Sequence, residues 1–237
     1  RAADVVVLDH HLGAETLPEA RAVVNPNRQD ETGDLAHLCA AAVVFMVLTQ
    51  VARMMRANGQ TPPNLINTLD LVALATVADV APLVGVNRAF VRQGLKVMGL
   101  RKRVGLNALS DVAGLNAAPS TYHLGYVLGP RINAGGRIGK ADLGAQLLAC
   151  NNHHEAAVMA DKLEELNTER RSVPGDEHVG VRHRDHVIGN DVSGLLEPPG
   201  SQLVEDLALV GDTSDDPVEG RQAVGRHEQP LTSPEGV

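Results

Sequence analysis

The sequence predicts an α/β fold in which a short parallel sheet is flanked by helices, and three observations carry that reading. Asp4-Val5-Val6-Val7-Leu8 and Arg21-Ala22-Val23-Val24-Asn25 are short apolar runs bounded by polar residues, the pattern of strands buried on both faces of a parallel sheet. Between Leu35 and Ala57 the spacing changes, and Leu38, Ala41, Ala42, Phe45, Leu48, Ala52 and Met55 recur as they do in a helix. A hydrophobic content of 43% over 237 residues is enough for a real core.

The first strand runs directly into Asp9-His10-His11. Ligands of open α/β sheets bind at the carboxyl ends of strands, so one carboxylate and two imidazoles stand where chemistry is usually done. Neutral imidazole suits Mn, Fe or Zn, and a carboxylate adds the charge that a hard cation needs. Three residues alone would also serve as a turn cap followed by polar loop residues, so the rest of the chain has to decide.

The second strand is stopped by Pro26, and residues 27–34 form a polar loop. The helix over 38–57 is apolar on almost every face up to Val51, which predicts deep burial, and Asn58-Gly59 ends it. After the break at Thr61-Pro62-Pro63, Asn67 or Thr68 is placed to cap a second apolar helix over 69–78. That helix ends at Asp79 and stops at Pro82. A lone carboxylate against apolar walls needs a cation or donors beside it, although a turn role for Asp79 is the plainer alternative.

A third helix is expected over 87–99, and the Arg101-Lys102-Arg103 run after it reads as a solvated helix end. Gly129-Pro130-Arg131-Ile132-Asn133-Ala134-Gly135-Gly136-Arg137 reads as a glycine-rich loop whose N–H groups could approach an anion while guanidinium groups grip its oxygens. It lacks the lysine ending of a nucleotide-binding P-loop, and a tight structural turn is the alternative. Helices then follow over 141–149 and 153–171. His153 and His154 fall in the first turn of the last helix, where exposure is the simpler reading.

Charge and composition divide the chain. Residues 1–171 hold 17 Lys/Arg against 16 Asp/Glu, a net of +1, while residues 172–237 hold 4 against 13, a net of -9. The second part has no Lys, Met, Cys, Phe or Tyr but 6 of the 13 prolines and 9 of the 23 glycines, so a disordered tail is expected there. Its His178, His183 and His186 lack the packed context a metal site needs. Cys39 and Cys150 lie in apolar helical stretches, which favours packing over a disulfide and a reducing, cytoplasmic setting. No apolar run is read as reaching the roughly 18 residues of a membrane span, so no membrane contact is expected.

Taken in series, VVVLDHH, LVALATVADVAPL and LGPRINAGGRIG resemble the DHH phosphoesterase superfamily, and within it the RecJ type of single-strand-specific exonuclease. The resemblance covers residues 1 to about 171. It implies a Rossmann-like parallel sheet with flanking helices that carries two Mn2+ or Mg2+ ions, and single-stranded DNA as partner. In that scheme His10 and Asp79 would be metal ligands, Asp9 would orient its neighbours, and His11 would face the scissile phosphate. Arg131, Asn133 and Arg137 would contact DNA phosphates. The expected division is a partial DHH domain over 1–150, the start of a connecting helix over 151–171, and a non-homologous, disordered tail over 172–237. Because the family's first aspartate motifs precede Asp-His-His, the chain is expected to start within the domain and, as it stands, to be an inactive fragment of a 5'-to-3' exonuclease of DNA repair and recombination. The alternatives are a DHH phosphoesterase acting on short oligonucleotides or cyclic dinucleotides, and a non-catalytic nucleic-acid-binding remnant.

Overall fold

A computed structural model describes residues 3–138 and 142–172, and of residues 137 and 138 the backbone only. The expectations for the tail, including those for His178, His183 and His186, therefore lie outside the described residues, beyond Ser172. Strands β1 (Val6–Leu8) and β2 (Ala22–Val24) form a two-stranded parallel sheet in the register Val6 with Ala22, Val7 with Val23 and Leu8 with Val24. Burial on both faces is not observed. Val5 and Val6 are 48% and 57% exposed, because two short strands cover little of their own surface even with α1 packed on β1.

Helix α1 (Ala40–Ala57) ends at Asn58, followed by Gly59 at a φ of +72°, as the Asn-Gly pair predicts. One face of α1 is buried, through Ala42, Val43, Phe45, Thr49 and Ala52, while Leu48, Val51 and Met54 are exposed. Deep burial all round is thus corrected to burial of one stripe. The 18 residues of α1 do reach the length and apolarity of a membrane span, contrary to the sequence reading, but its apolar stripe packs into the core and Arg53 and Arg56 interrupt its last two turns.

Helix α2 (Leu69–Ala78) follows a 3-10 turn over Leu65–Thr68; Thr68 takes the N-cap position, as one of the two residues expected, but its side chain makes no cap bond, and the capping side chain is that of Asn64 before the 3-10 turn. Asn64 Oδ1 accepts from Ile66 N at 3.0 Å, while the Thr68 hydroxyl donates back to Leu65 O at 2.7 Å. At its other end Val80 N bonds Val77 O and Ala81 N bonds Thr76 O, both at 3.1 Å. This is the Schellman pattern, with Val80 at a φ of +56° in the position that usually falls to glycine.

Helices α3 (Gly85–Gly99), α4 (Val104–Val112), α5 (Gly129–Ala134), α6 (Leu143–Ala149) and α7 (His153–Ser172) complete the layer, with a π-helical segment over His123–Leu128 leading into α5. Two apolar clusters share α2 and α3. One gathers Phe45, Val72, Phe90 and Val97 around α1, with the two phenylalanine rings edge to face at 5.2 Å. The other gathers Leu74, Leu106, Leu109, Leu128, Leu147 and Leu163 and includes α7, whose buried face packs on α4, α5 and α6.

Glycines set the helix spacing. A Cβ on Gly94 would lie 2.2 Å from Leu69 O, and one on Gly105 would lie 1.7 Å from Leu147 O. Those contacts exclude any side chain, so α3 presses on α2 and α4 on α6 backbone to backbone.

The basic run after α3 is not simply solvated. Arg103 donates to Asp70 through Nε at 2.7 Å and through a terminal nitrogen at 3.0 Å, and Asp70 is 3% exposed. Arg101 pairs with Asp111. Both cysteines are free, Cys39 buried with its Sγ 3.4 Å from Thr76 Oγ1.

Candidate metal centre

β1 delivers Asp9, His10 and His11 at its carboxyl end, and the backbone there continues the ladder for one more bond, Asp9 N to Val24 O at 3.0 Å. Past that point the chain turns around the Asp9 carboxylate. Oδ1 accepts from His10 N at 2.8 Å and from His11 N at 3.3 Å, and lies 2.7 Å from His11 Nδ1. The hydrogen bond with the His11 ring, and after it the one from His10 N–H, hold the Asp9 carboxyl below its ordinary value of 3.8. One oxygen is thereby committed and Oδ2 is left open.

Two asparagines from the neighbouring strand end fix this turn. Asn25 Nδ2 donates to His11 O at 2.8 Å while its Oδ1 accepts from Asn27 N at 2.8 Å. Asn27 Nδ2 donates to His10 O at 2.7 Å and to Ala36 O at 2.9 Å, tying the turn to the segment that enters α1. Sequence reading passed over both as strand end and polar loop. The signal that could have found them is their position: they close the second strand of a parallel pair, beside the carboxyl end of the first.

Asp79 arrives from the far end of α2, whose C-cap it forms. Its Oδ2 lies 3.5 Å from His10 Nδ1, with side chains 45% exposed for Asp79 and 20% for His10. The apolar walls expected around Asp79 are absent on its open side; its neighbour is an imidazole. Donor atoms of Asp9, His10 and His11 fall within 4.8 Å of one another. Ligands on one cation with bonds of roughly 2.0 to 2.3 Å stand about 3 Å apart when adjacent and about 4.5 Å when opposite. The donor atoms of Asp9, His10 and His11 therefore stand at spacings that one divalent ion accepts, with the Asp79 carboxylate beside His10. The two carboxylates match its charge.

The GPRINAGGR stretch packs beside the last turn of α2, with Gly129 against Ala78, and has a different form from the one expected. It is helical, α5 followed by a 3-10 turn over Gly135–Ile138, so most of its N–H groups are spent inside the helix and the anion-binding loop is corrected. Pro130 suits the first helical turn, and Gly129 is required because a Cβ there would lie 2.9 Å from Leu124 O and 3.2 Å from Ala78 Cβ. Arg131 is 7% exposed. Its guanidinium pairs with Glu164 of α7, through Nε and a second bond of 3.1 Å, and donates to Val127 O at 2.7 Å. A phosphate contact is corrected to a structural clamp between α5 and α7. Asn133 is exposed, and the Arg137 side chain lies outside the described residues.

Residues 1–76 match the DHH family, N-terminal domain. The chain is 40% identical over 187 residues to the single-stranded-DNA-specific exonuclease RecJ of Dickeya dadantii, covering 76% of this chain and 32% of that protein. It is also 40% identical over 177 residues to that of Escherichia coli, covering 71% and 31%. Among solved structures, RecJ from Thermus thermophilus in complex with Mn2+ superposes with a TM-score of 0.61 at 32% identity, over 71% of this chain and 24% of that one. An exonuclease RecJ bound to manganese gives a TM-score of 0.62 at 33% identity, over 71% and 41%. The chain spans about a third of the length of the curated relatives it matches.

Proposed function

Residues 1–76 carry a DHH-family N-terminal domain and the chain is a homologue of RecJ exonucleases, and on that premise we propose that Asp9, His10, His11 and Asp79 belong to a divalent-metal centre that hydrolyses phosphodiester bonds of single-stranded DNA. The observation that carries the reading is the approach of Asp79 Oδ2 to His10 Nδ1, 3.5 Å, across a long stretch of sequence. Hard carboxylates beside imidazole suit Mn2+ or Mg2+, the ions bound by solved relatives. Such an ion would supply charge neutralisation at phosphorus and a water acidic enough to attack it.

The chain's own groups take distinct roles in this scheme. His10 and Asp79 hold the ion. Asp9 uses Oδ1 to fix the His11 ring through Nδ1, and this leaves His11 Nε2, on a side chain 78% exposed, free to meet a phosphate oxygen or the departing group. Asn133 and Arg137 remain candidates for strand phosphates, whereas Arg131 acts through the α5–α7 clamp. The reading includes 5'-to-3' polarity, a cytoplasmic role in DNA repair and recombination, and a partial DHH domain over 1–150 with α7 beginning a connecting helix. Two carboxylates balance one divalent ion and not two, so this 237-residue polypeptide is proposed to bind a single ion weakly and to cleave poorly if at all.

The test is Mn2+ titration of the polypeptide by water-proton relaxation, beside digestion of 5'-phosphorylated single-stranded DNA. One weak site, lost in His10→Ala and in Asp79→Asn, with any cleavage lost in the same variants, is expected. Mn2+ binding untouched by either substitution would remove the centre. Faster cleavage of dinucleotides than of long strands would move the chain to the small-substrate branch of the superfamily.

A further inference from the structure

Asn87, the third residue of α3, is fully buried, and nothing in the proposed chemistry uses it. Its Nδ2 donates to His37 O at 2.8 Å and to Pro82 O at 2.9 Å. Both partners are carbonyls, which accept and cannot donate, so the amide has one orientation: its NH2 end faces them and spends both hydrogens there. Oδ1 is left buried, without a partner among the described residues. An orphaned buried acceptor is costly, and a leucine of nearly the same volume would avoid it. A polar residue at this point is therefore accounted for by the two bonds it donates.

The two carbonyls belong to segments that reach the metal centre from different sides. Pro82 is the third residue beyond Asp79, in the loop that leaves α2. Val80 at a φ of +56° and Gly85 at a φ of +48° bound this loop, and the His37 ring rests on its far end, with Nε2 3.7 Å from where a Cβ on Gly85 would stand. His37 itself lies in the turn that enters α1, closed by Leu38 N on Leu35 O at 3.0 Å. The residue before it, Ala36, offers its carbonyl to Asn27 Nδ2 at 2.9 Å, and the same amide holds His10 O at 2.7 Å. Two carboxamides thus meet on adjacent residues. A continuous path runs from His10 through Asn27, Ala36, His37 and Asn87 to Pro82, close behind Asp79.

We propose that Asn87 is a positioning residue for the metal centre: it fixes the loop beyond Asp79 to the same turn that Asn27 fixes to His10, and so sets the 3.5 Å approach of Asp79 Oδ2 to His10 Nδ1. The bonds at the end of α2 hold Asp79 to its own helix, and the packing of α1 on α2 sets the spacing of those two helices. Neither ties the Asp79 end of α2 to the histidine turn; the asparagine path does. Groups behind metal ligands act in this way, by fixing the ligands in place before an ion arrives. The consequence for chemistry rests on the metal-centre reading above. The positioning does not, because every contact in the path is made by the chain alone. Two links in series also leave a signature: breaking either releases the same constraint, so losing both adds little to losing one.

The test uses the whole 237-residue chain. Asn87→Leu is compared with the parent, and Asn87→Ser, whose single hydroxyl serves one carbonyl at most, is measured beside it so that the test stands if the leucine variant does not fold. Leu163→Val, in the apolar cluster that includes α7, is the control for lost stability alone. In chelator, a nuclear Overhauser contact between the His10 ring and the Asp79 methylene protons is expected in the parent and in Leu163→Val, and is expected to vanish in the Asn87 variants. Mn2+ dissociation constants from water-proton relaxation should rise about 10-fold in each Asn87 variant and in Asn27→Ala. The double variant Asn27→Ala with Asn87→Leu should stay within about threefold of the weaker-binding single variant, where independent effects would multiply to about 100-fold. No such contact in the parent, a parental contact in both Asn87 variants, an equal loss in Leu163→Val, or multiplied effects in the double variant would overturn the proposal. Mn2+ binding unchanged by His10→Ala sinks the metal reading instead, and the Overhauser contact, read without metal, still decides the positioning.

Discussion

Val80→Gly should make the protein more stable, although glycine substitutions normally do the opposite. Val80 holds a φ of +56° one residue beyond Asp79, where its N–H closes the end of α2 onto Val77 O. A left-handed conformation costs an L-residue about 1–2 kcal/mol, and a β-branched residue sits at the upper end. Glycine relieves this, and returns about 0.5–1 kcal/mol through its greater freedom in the unfolded chain. The side chain is 61% exposed, so the burial lost is under half of the roughly 1.5 kcal/mol that a fully buried valine represents. The balance is a gain of about 0.5 kcal/mol, or about 1–2 °C in melting temperature for a domain of this size. The sharper readout is the order of two variants. In ordinary positions alanine beats glycine; here Val80→Gly should exceed Val80→Ala by about 1 kcal/mol in urea unfolding. If Val80→Ala proves the more stable of the two, the strain at the end of α2 is not there and the account of how Asp79 is held fails with it.

Four other outcomes follow from contacts already described. Asn25→Ala should weaken Mn2+ binding by about 10- to 100-fold, the usual effect of losing a group that orients ligands, and an affinity within about twofold of the parent would show that the asparagine clamp is idle. Arg103→Ala, which strands the buried Asp70 carboxylate, should cost about 3–5 kcal/mol in urea unfolding, while the double change Asp70→Leu with Arg103→Met should recover most of it; equal losses in both would refute the pairing argument. Gly94→Ala forces a methyl to within 2.2 Å of Leu69 O, and a loss of less than about 1 kcal/mol would mean that α3 can retreat from α2. Asp9 titrates below 3.8 because its ionised form is bonded to the His11 ring and to His10 N–H. Its contribution to folding is therefore present above that ordinary value and lost as pH falls through the lowered one. In chelator-treated protein the Asp9 carboxyl carbon should report this by NMR, and in His11→Ala its midpoint should rise toward 3.8; no rise would rule out the ring as the main cause.

The sequence made the site's pieces readable more readily than their surroundings. Asp9-His10-His11 follows an apolar run, and that alone places it at a strand end, because a run of aliphatics followed by charge has few other ways to fold. Asp79 was legible as a helix end for the same reason. What could not be read were effects that depend on a partner distant in the chain. Arg131 looks like a phosphate donor until Glu164, on another helix, is found against it. Arg103 looks solvated until Asp70 is found against it. Glycines misled in one direction: several in a row suggest a loop, yet Gly129 is there because Leu124 O and Ala78 lie too close for a side chain, and the segment is helical. The two strands looked doubly buried because their composition says nothing about how much sheet surrounds them.

The glycine contacts also bear on how this molecule can move. Where backbone rests on backbone, as at Gly94 against Leu69 and Gly105 against Leu147, neighbouring helices are geared together, and one cannot slide along the other without its teeth colliding. The α2–α3 and α4–α6 pairs are thus expected to move as rigid plates. Asp79 is mounted at the end of the first of these plates. Asp9, His10 and His11 hang instead from a short two-stranded ribbon, stayed by asparagine cords. Any adjustment that tightens the centre around an ion must come from that lighter side, so slow hydrogen exchange is expected along α2 and faster exchange at His10 and His11.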